Sequence, residues 1–244
     1  MEPILIPFSM SNIYLLPCRG GYLQIDAGYE WDYLAYRRQL ARKAIDVWEI
    51  KFLLLTHHHD DHAGFLPRLT EDSPLRIIAH RASADLLKGG VNDKSHGGGY
   101  VNRFIKMVAG LKMRLDPRWT LTFPAFNLRE EDILVDGDDD QLLRSLGVDG
   151  RVIYTPGHCI DHLSVVLDTG ETFCGDAAAN FLNWAGTRHC TVFMTDMQEA
   201  YRSWRKMLDA GARVIFPAHG LPFAASKLEK NMGLIRNEDL VAFF

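Results

Sequence analysis

Apolar and polar positions alternate in short blocks through the first third of the chain. Residues 4–8, 13–16 and 21–26 are apolar segments a few residues long, separated by Ser, Asn, Pro, Arg and Gly. This pattern predicts strands joined by turns. From 31 to 45 the apolar positions take helical spacing, with basic residues on one face. Residues 50–55, IKFLLL, are a continuous apolar run of strand length, as expected of a strand covered on both faces. Residues 75–79 predict another strand and 82–88 a short helix.

The pattern changes between 89 and 126. His96-Gly97-Gly98-Gly99 breaks the chain, and Val101, Phe104, Ile105, Val108, Leu111 and Leu115 then fall at helical spacing. This reads as an inserted helical cap, too short to bury a core of its own. Its apolar stripe is expected to be core or a homodimer contact before a substrate wall. Arg103, Lys106, Lys112, Arg114 and Arg118 stand there against the single acid Asp116, a solvated face before an anion-binding one. Strand patterns return at 133–135, 151–154, 163–167 and 171–174, with an Asp168-Thr169-Gly170 turn closing a hairpin. A helix over 197–210, a strand at 214–216 and a last helix from about 226 complete the series. Strands leading into polar loops, with helices between, predict one α/β domain over 1–244 carrying the cap at 89–126.

Composition narrows the setting. The 244 residues are 47% hydrophobic and 24% charged, as in an ordinary globular chain. No apolar run approaches the ~20 residues that span a bilayer, and the start has no signal-peptide pattern. Four scattered cysteines form no CxxC pair, so a reducing cytoplasm is the expected compartment. A net charge of −4 argues against nucleic acid as the main partner.

The chemistry gathers at Thr56-His57-His58-His59-Asp60-Asp61-His62. Ten histidines serve the whole chain, and four of them stand here with two aspartates. Three further strands are each followed at once by a His or Asp: His158 after TPG, Asp176 after FCG, His219 after FPA. Loops beyond strand ends are where α/β proteins assemble sites. In an extended segment His57 and His59 point the same way, so they can grip one ion. Asp61 and His62, where the chain turns toward a helix, can reach a second. Histidine and carboxylate ligands suit zinc, iron or manganese. A solvated polar loop is the bland alternative, and the three downstream exits speak against it.

The ordered set His57-x-His59-x-Asp61-His62, His158, Asp176 and His219, with Ile25-Asp26-Ala27-Gly28 ahead of it, resembles the metallo-β-lactamase-fold hydrolases. The resemblance implies a four-layer αββα sandwich with two divalent metal ions at one edge, zinc first, with iron or manganese as alternatives. It implies that His57, His59 and His158 hold one ion and Asp61, His62 and His219 the other. Asp176 would bridge them, and Asp26 would support from behind. His162 fills a position where many members also have His, either supporting a ligand or making a structural hydrogen bond; His58 and Asp60 would not ligate. The implied activity is hydrolysis of a small ester, lactone or thioester by a metal-bridging hydroxide, with Asp61 orienting or deprotonating the nucleophile. Related alternatives are a mononuclear iron enzyme resembling persulfide dioxygenases, through His57, His158 and Asp176, and a phosphodiesterase for a small anionic ester. A ligand sensor with negligible turnover is the non-enzymatic alternative. Lactonases of this type place a tyrosine after the bridging Asp; Ala177-Ala178-Ala179-Asn180 stands here, leaving Asn180 as the replacement donor.

Overall fold

The computed structural model describes residues 2–8, 10–93 and 95–243. β1 (Ile4–Pro7), β2 (Asn12–Cys18) and β3 (Gly21–Ile25) lead through α1 (Tyr33–Arg42) to β4 (Ile50–Leu54). Two short helices, α2 (Asp60–Ala63) and α3 (Leu66–Asp72), precede β5 (Arg76–His80) and α4 (Ser83–Gly89). Then come β6 (Gly99–Tyr100), α5 (Arg103–Leu115), β7 (Ile133–Val135) and α6 (Leu142–Ser145). The second half runs through β8 (Gly150–Tyr154), β9 (Leu163–Leu167), β10 (Glu171–Gly175), β11 (Phe193–Met194) and α7 (Met197–Asp209). It finishes with β12 (Val214–Pro217), β13 (Phe223–Ala224), α8 (Ser226–Asn231) and β14 (Val241–Ala242).

The strands form one sheet in the order β1-β2-β3-β4-β5-β7, a second in the order β13-β12-β10-β9-β8, and a small third, β11-β6-β14. Strand pleating explains the apolar run at 50–55, because successive side chains leave a strand on opposite faces. Ile50, Leu53 and Leu55 pack with Tyr36 and Leu40 of α1 and Leu66 and Leu69 of α3. Phe52 and Leu54 point the other way, into a core shared with Val152, Leu163, Val165 and Phe173 of the second sheet. The outer face of that sheet, through Ile153, Val166 and Ile215, is covered by Trp204 and Met207 of α7 and Leu228 of α8. Three successive cores therefore make four layers, α, β, β and α. No helix among the described residues is long and apolar enough to cross a membrane.

β3 runs parallel to β4, and β10 parallel to β12, so both pairs deliver their C-terminal ends to one edge. The sheets are stitched together there. The Leu163 N–H donates to the Thr56 carbonyl at 2.8 Å, and the Tyr14 hydroxyl to the Pro217 carbonyl at 2.8 Å.

Segment 89–126 is less helical than its pattern suggests. Only Arg103–Leu115 is helix, started by Asn102, whose side chain accepts from the Ile105 N–H at 2.9 Å. Most of the rest is turn or irregular chain, with β6 paired to β11 and β14 and a bridge between Val91 and Thr122. The expected core stripe also splits. Val101 and Ile105 are buried, whereas Phe104, Leu111 and Leu115 are exposed. The buried face of α5 keeps Ile105 from the stripe, and the residues of α5 that line the cleft, Ala109 and Met113, lay outside it.

Candidate active site and metal centre

The strand exits converge. After β4, His59 still has extended backbone, and the next residues enter α2, whose first turn carries Asp61 and His62. Gly64 permits this tight turn, since a Cβ there would lie 2.4 Å from the Asp60 carbonyl oxygen and 2.6 Å from that of Gly28. The result is two sets of three donors, His57–His59–His158 and Asp61–His62–His219, each with one ligand atom per residue mutually within 4.8 Å. Asp176 lies between them. Its Oδ2 is 3.5 Å from His158 Nε2, while its Oδ1 is 3.5 Å from His62 Nε2 and 3.2 Å from His219 Nε2.

The outer nitrogens of four of these rings face fixed oxygens, which decides which nitrogen carries hydrogen. His62 Nδ1 donates to Asp26 Oδ2 at 2.8 Å, His158 Nδ1 to the Phe193 carbonyl at 2.9 Å, and His219 Nδ1 to the Met10 carbonyl at 2.6 Å. Thr56 Oγ1 gives its own hydrogen to the Asp26 carboxylate and receives one from His57 Nδ1 at 3.1 Å. Each inner Nε2 then faces the same small space. His59 presents Nδ1 to it, 3.1 Å from His57 Nε2 and 3.0 Å from His158 Nε2.

Two atoms in that space, His62 Nε2 and Asp176 Oδ1, are buried without a hydrogen bond. A buried polar atom left unpaired costs about 1–3 kcal/mol, and such atoms in a native fold call for a partner. Nitrogen and carboxylate oxygen donors converging from seven residues form a cluster that could hold metal. The electrostatics agree. Burial lowers the pKa of His57, His59 and His158, and neighbouring imidazoles reinforce this for the first two, so these rings stay neutral. Burial opposes ionisation of Asp61, but the imidazoles of His62 and His219 outweigh it and keep the carboxylate charged.

The remaining expected residues fall as follows. Asp26 reaches Thr56 and His62 from a left-handed backbone with φ 64°, while its N–H is held by the Leu54 carbonyl. His162 donates from Nδ1 to Thr155 Oγ1 at 2.9 Å and accepts the Asp176 N–H at Nε2. It has no lone pair left for a metal. His58 is likewise spent, with Nδ1 on Asp161 Oδ1 at 3.0 Å and Nε2 accepting the Asp93 N–H at 3.0 Å. Asp60 is tied to the Asn92 side chain at 2.7 Å. Asn180 does not replace the missing tyrosine: its amide nitrogen donates to the Leu221 carbonyl at 2.9 Å, and it is absent from the walls of the cleft.

Several working groups were invisible to sequence reasoning. The Met10 and Phe193 carbonyls are backbone atoms and leave no signal. Thr56 had one, a hydroxyl just ahead of the histidine run, and Tyr29 had another, directly after Gly28. Tyr29 is buried, lines the cleft, and has no hydrogen-bond partner for its hydroxyl among the described residues. Burial and the carboxylates of Asp61, Asp60 and Asp176 push its pKa far up, so the phenol keeps its proton.

Above the donors opens a cleft of about 140 Å³. Asp61, Asp176 and His219 form its floor, with Ala109 and Met113 of α5, Trp119, Phe193 and Phe243 among its walls.

A model of the metallo-beta-lactamase superfamily matches residues 6–219. The atrochrysone carboxyl ACP thioesterase of Aspergillus fumigatus is 26% identical over 214 residues, 86% of this chain and 50% of that protein. The chain thus spans about half the length of this curated relative. An archaeal metallo-beta-lactamase superfamily protein from Sulfolobus tokodaii superposes with a TM-score of 0.61 at 20% identity, covering 95% of this chain and 85% of that one. A Cronobacter sakazakii metallo-beta-lactamase with a HARLDQ motif gives 0.60 at 21% identity, covering 89% and 75%. At such identities the two structures speak for the fold. With the family match running from β1 to the last donor, His219, the chain belongs to the metallo-beta-lactamase superfamily.

Proposed function

We propose that this chain is a dinuclear metal-dependent hydrolase, zinc first, that cleaves a small ester, lactone or thioester in the cytoplasm. One observation carries the reading: two three-residue donor sets with Asp176 between them meet an apolar cleft, which His59, His158, Asp61, His219 and Asp176 line. His57, His59 and His158 would hold one ion, Asp61, His62 and His219 the other, with Asp176 between. Bound divalent ions supply Lewis acidity and lower the pKa of water from about 15.7 to roughly 7.

The chain's own groups do the rest. Asp61 is an ionised carboxylate on the cleft floor, placed to orient an attacking water and accept its proton. The Tyr29 hydroxyl, protonated and unpartnered, can donate to a substrate oxygen as charge develops on it. The apolar walls take an acyl or aryl body and exclude bulk water. The Aspergillus fumigatus relative, named as a thioesterase, supports the acyl-transfer side of this reading. A mononuclear iron centre on His57, His158 and Asp176 would leave the Nε2 of His62 without a partner. The four cysteines, all unpaired, agree with a reducing compartment.

Elemental analysis of untagged protein, followed by a screen of chromogenic esters, lactones and thioesters, tests this. About two zinc or manganese ions per chain with turnover supports it. About one iron with oxygen uptake on a persulfide overturns it.

A further inference from the structure

α5 brings one cation against two residues of the cleft wall, Met10 and Trp119. Ile105, Ala109, Lys112 and Met113 share a helix face by their spacing; Ile105 is buried, and Ala109 and Met113 line the cleft. Lys112 is half-buried, and its Nζ lies 3.5 Å from the centroid of the Trp119 ring and 3.2 Å from Met10 Sδ. Both partners line the cleft. Neither contact carries charge, and the carboxylates that act on the ammonium, Asp116 and Asp61, do so without an ion pair.

The segment's own acid does not pair with it. Asp116 is engaged by Arg118, through Nε at 2.9 Å and Nη2 at 2.8 Å. Among the described residues Lys112 makes no ion pair with any carboxylate. The other basic residues of α5 point elsewhere or to solvent: Lys106 donates to the Ala242 carbonyl at 2.8 Å, and Arg103 and Arg114 are exposed. Met10 sets the distance to the chemistry, because its carbonyl accepts from His219 Nδ1 while its sulfur touches Lys112. One residue therefore spans the gap between the cation and a floor donor.

A half-buried ammonium in contact with a ring and a thioether, with Asp116 and Asp61 acting on it only from beyond hydrogen-bonding distance, has room for an anion that would complete its hydrogen bonds. The space next to it is apolar and opens on the donor cluster. We propose that Lys112 is a specificity-determining residue that receives a carboxylate of the substrate, while the Trp119 ring and the Met113 and Phe243 side chains hold an alkyl or aryl body. The substrate class is then an ester, lactone or thioester bearing an anionic group a short span from the scissile carbonyl. This rests on the hydrolase reading above for the reaction, though not for the binding.

The test uses the zinc-loaded full chain and a matched pair of esters, 4-nitrophenyl butyrate and mono-4-nitrophenyl glutarate, which differ by one carboxylate. Wild type should prefer the glutarate ester, and Lys112→Met should lower the ratio of the two kcat/KM values about tenfold through KM for the glutarate ester. Lys112→Arg should restore part of the ratio. An absent preference in wild type, or an equal loss on both esters in Lys112→Met, overturns the proposal. Failure to turn over either ester counts against the hydrolase reading alone. Calorimetry with 4-phenylbutyrate and 4-phenylbutanol then decides on Lys112: carboxylate binding weakened about tenfold in Lys112→Met supports it, and equal binding overturns it.

Discussion

The backbone N–H of Asp176 donates to Nε2 of His162 across 3.1 Å. A ring nitrogen that accepts a hydrogen bond cannot also serve a metal, so this bond ties His162 to the backbone of a donor residue. Burial, and then His158, push the pKa of His162 down to about 3, so it stays neutral and can only accept at Nε2. Its work is to fix the carboxylate that lies between the two donor sets.

His162→Ala should therefore weaken metal binding about 10–100-fold without removing a ligand. His162→Gln, which can offer a carbonyl oxygen near the Nε2 position, should recover part of that loss. Competition titration with a zinc chelator measures both. Equal affinity in His162→Ala and wild type would reduce this histidine to a packing residue.

His58 and His59 are neighbours with opposite fates. Both His58 nitrogens are bonded, to Asp161 and to the Asp93 N–H, whereas His59 Nδ1 faces His57 and His158. His59→Ala should strip metal. His58→Ala should keep most of it and lower stability by about 1–3 kcal/mol, as the buried Asp161 loses a partner. Metal content and thermal unfolding on the same samples separate the two, and matching metal loss would show that the alternation along the motif is misread.

Gly175 lies where β10 releases Asp176, with φ 46° and an imagined Cβ 2.5 Å from Thr56 Oγ1. Gly175→Ala should push the Thr56 hydroxyl off the Asp26 carboxylate, which also holds His62. A destabilisation of about 2–3 kcal/mol is expected, together with weaker metal binding. Gly211, at φ 99° with nothing within 4 Å of its imagined Cβ, is the control. Gly211→Ala should carry only a backbone cost of about 1–2 kcal/mol and bind metal normally.

What could be read from the sequence follows from where the information sits. The run at 50–55 announced a strand covered on both faces because its burial is encoded residue by residue. The four loop exits were legible for a related reason, since chemistry-bearing side chains sat at the ends of recognisable strands. β6, β11, β13 and β14 are two residues long, and nothing local distinguishes them; their pairing is tertiary. The stripe on α5 misled for another reason. Periodicity reports that Phe104, Leu111 and Leu115 share spacing, but the body of the fold decides which face it covers: Ile105 is buried, while Ala109 and Met113 line the cleft. Counting charges groups Lys112 with the other basic residues of the segment and cannot show that Asp116 is taken by Arg118.

The two donor sets should also differ in their response to pH. Burial lowers the pKa of His57, His59 and His158, so this set carries no protons near neutrality. For His62 and His219 burial acts the same way, but the carboxylates around them more than offset it: Asp26, Asp61 and Asp176 for His62, Asp176 and Asp61 for His219. Both pKa values rise well above the ordinary imidazole range. A raised folded pKa means that the proton stabilises the metal-free fold below and through neutrality, and that this contribution fades as pH climbs through the raised values. A cation and those protons compete for the same Nε2 lone pairs, so filling the site must expel them. Calorimetry in buffers of different ionisation enthalpy should show about one to two protons released per chain at pH 7. Metal content should fall from about two ions toward about one as pH drops from roughly 8 to roughly 5.5, with Asp61–His62–His219 emptying first. A proton release of zero, with unchanged metal content over that span, would remove His62 and His219 from the ligand set and with them the second ion.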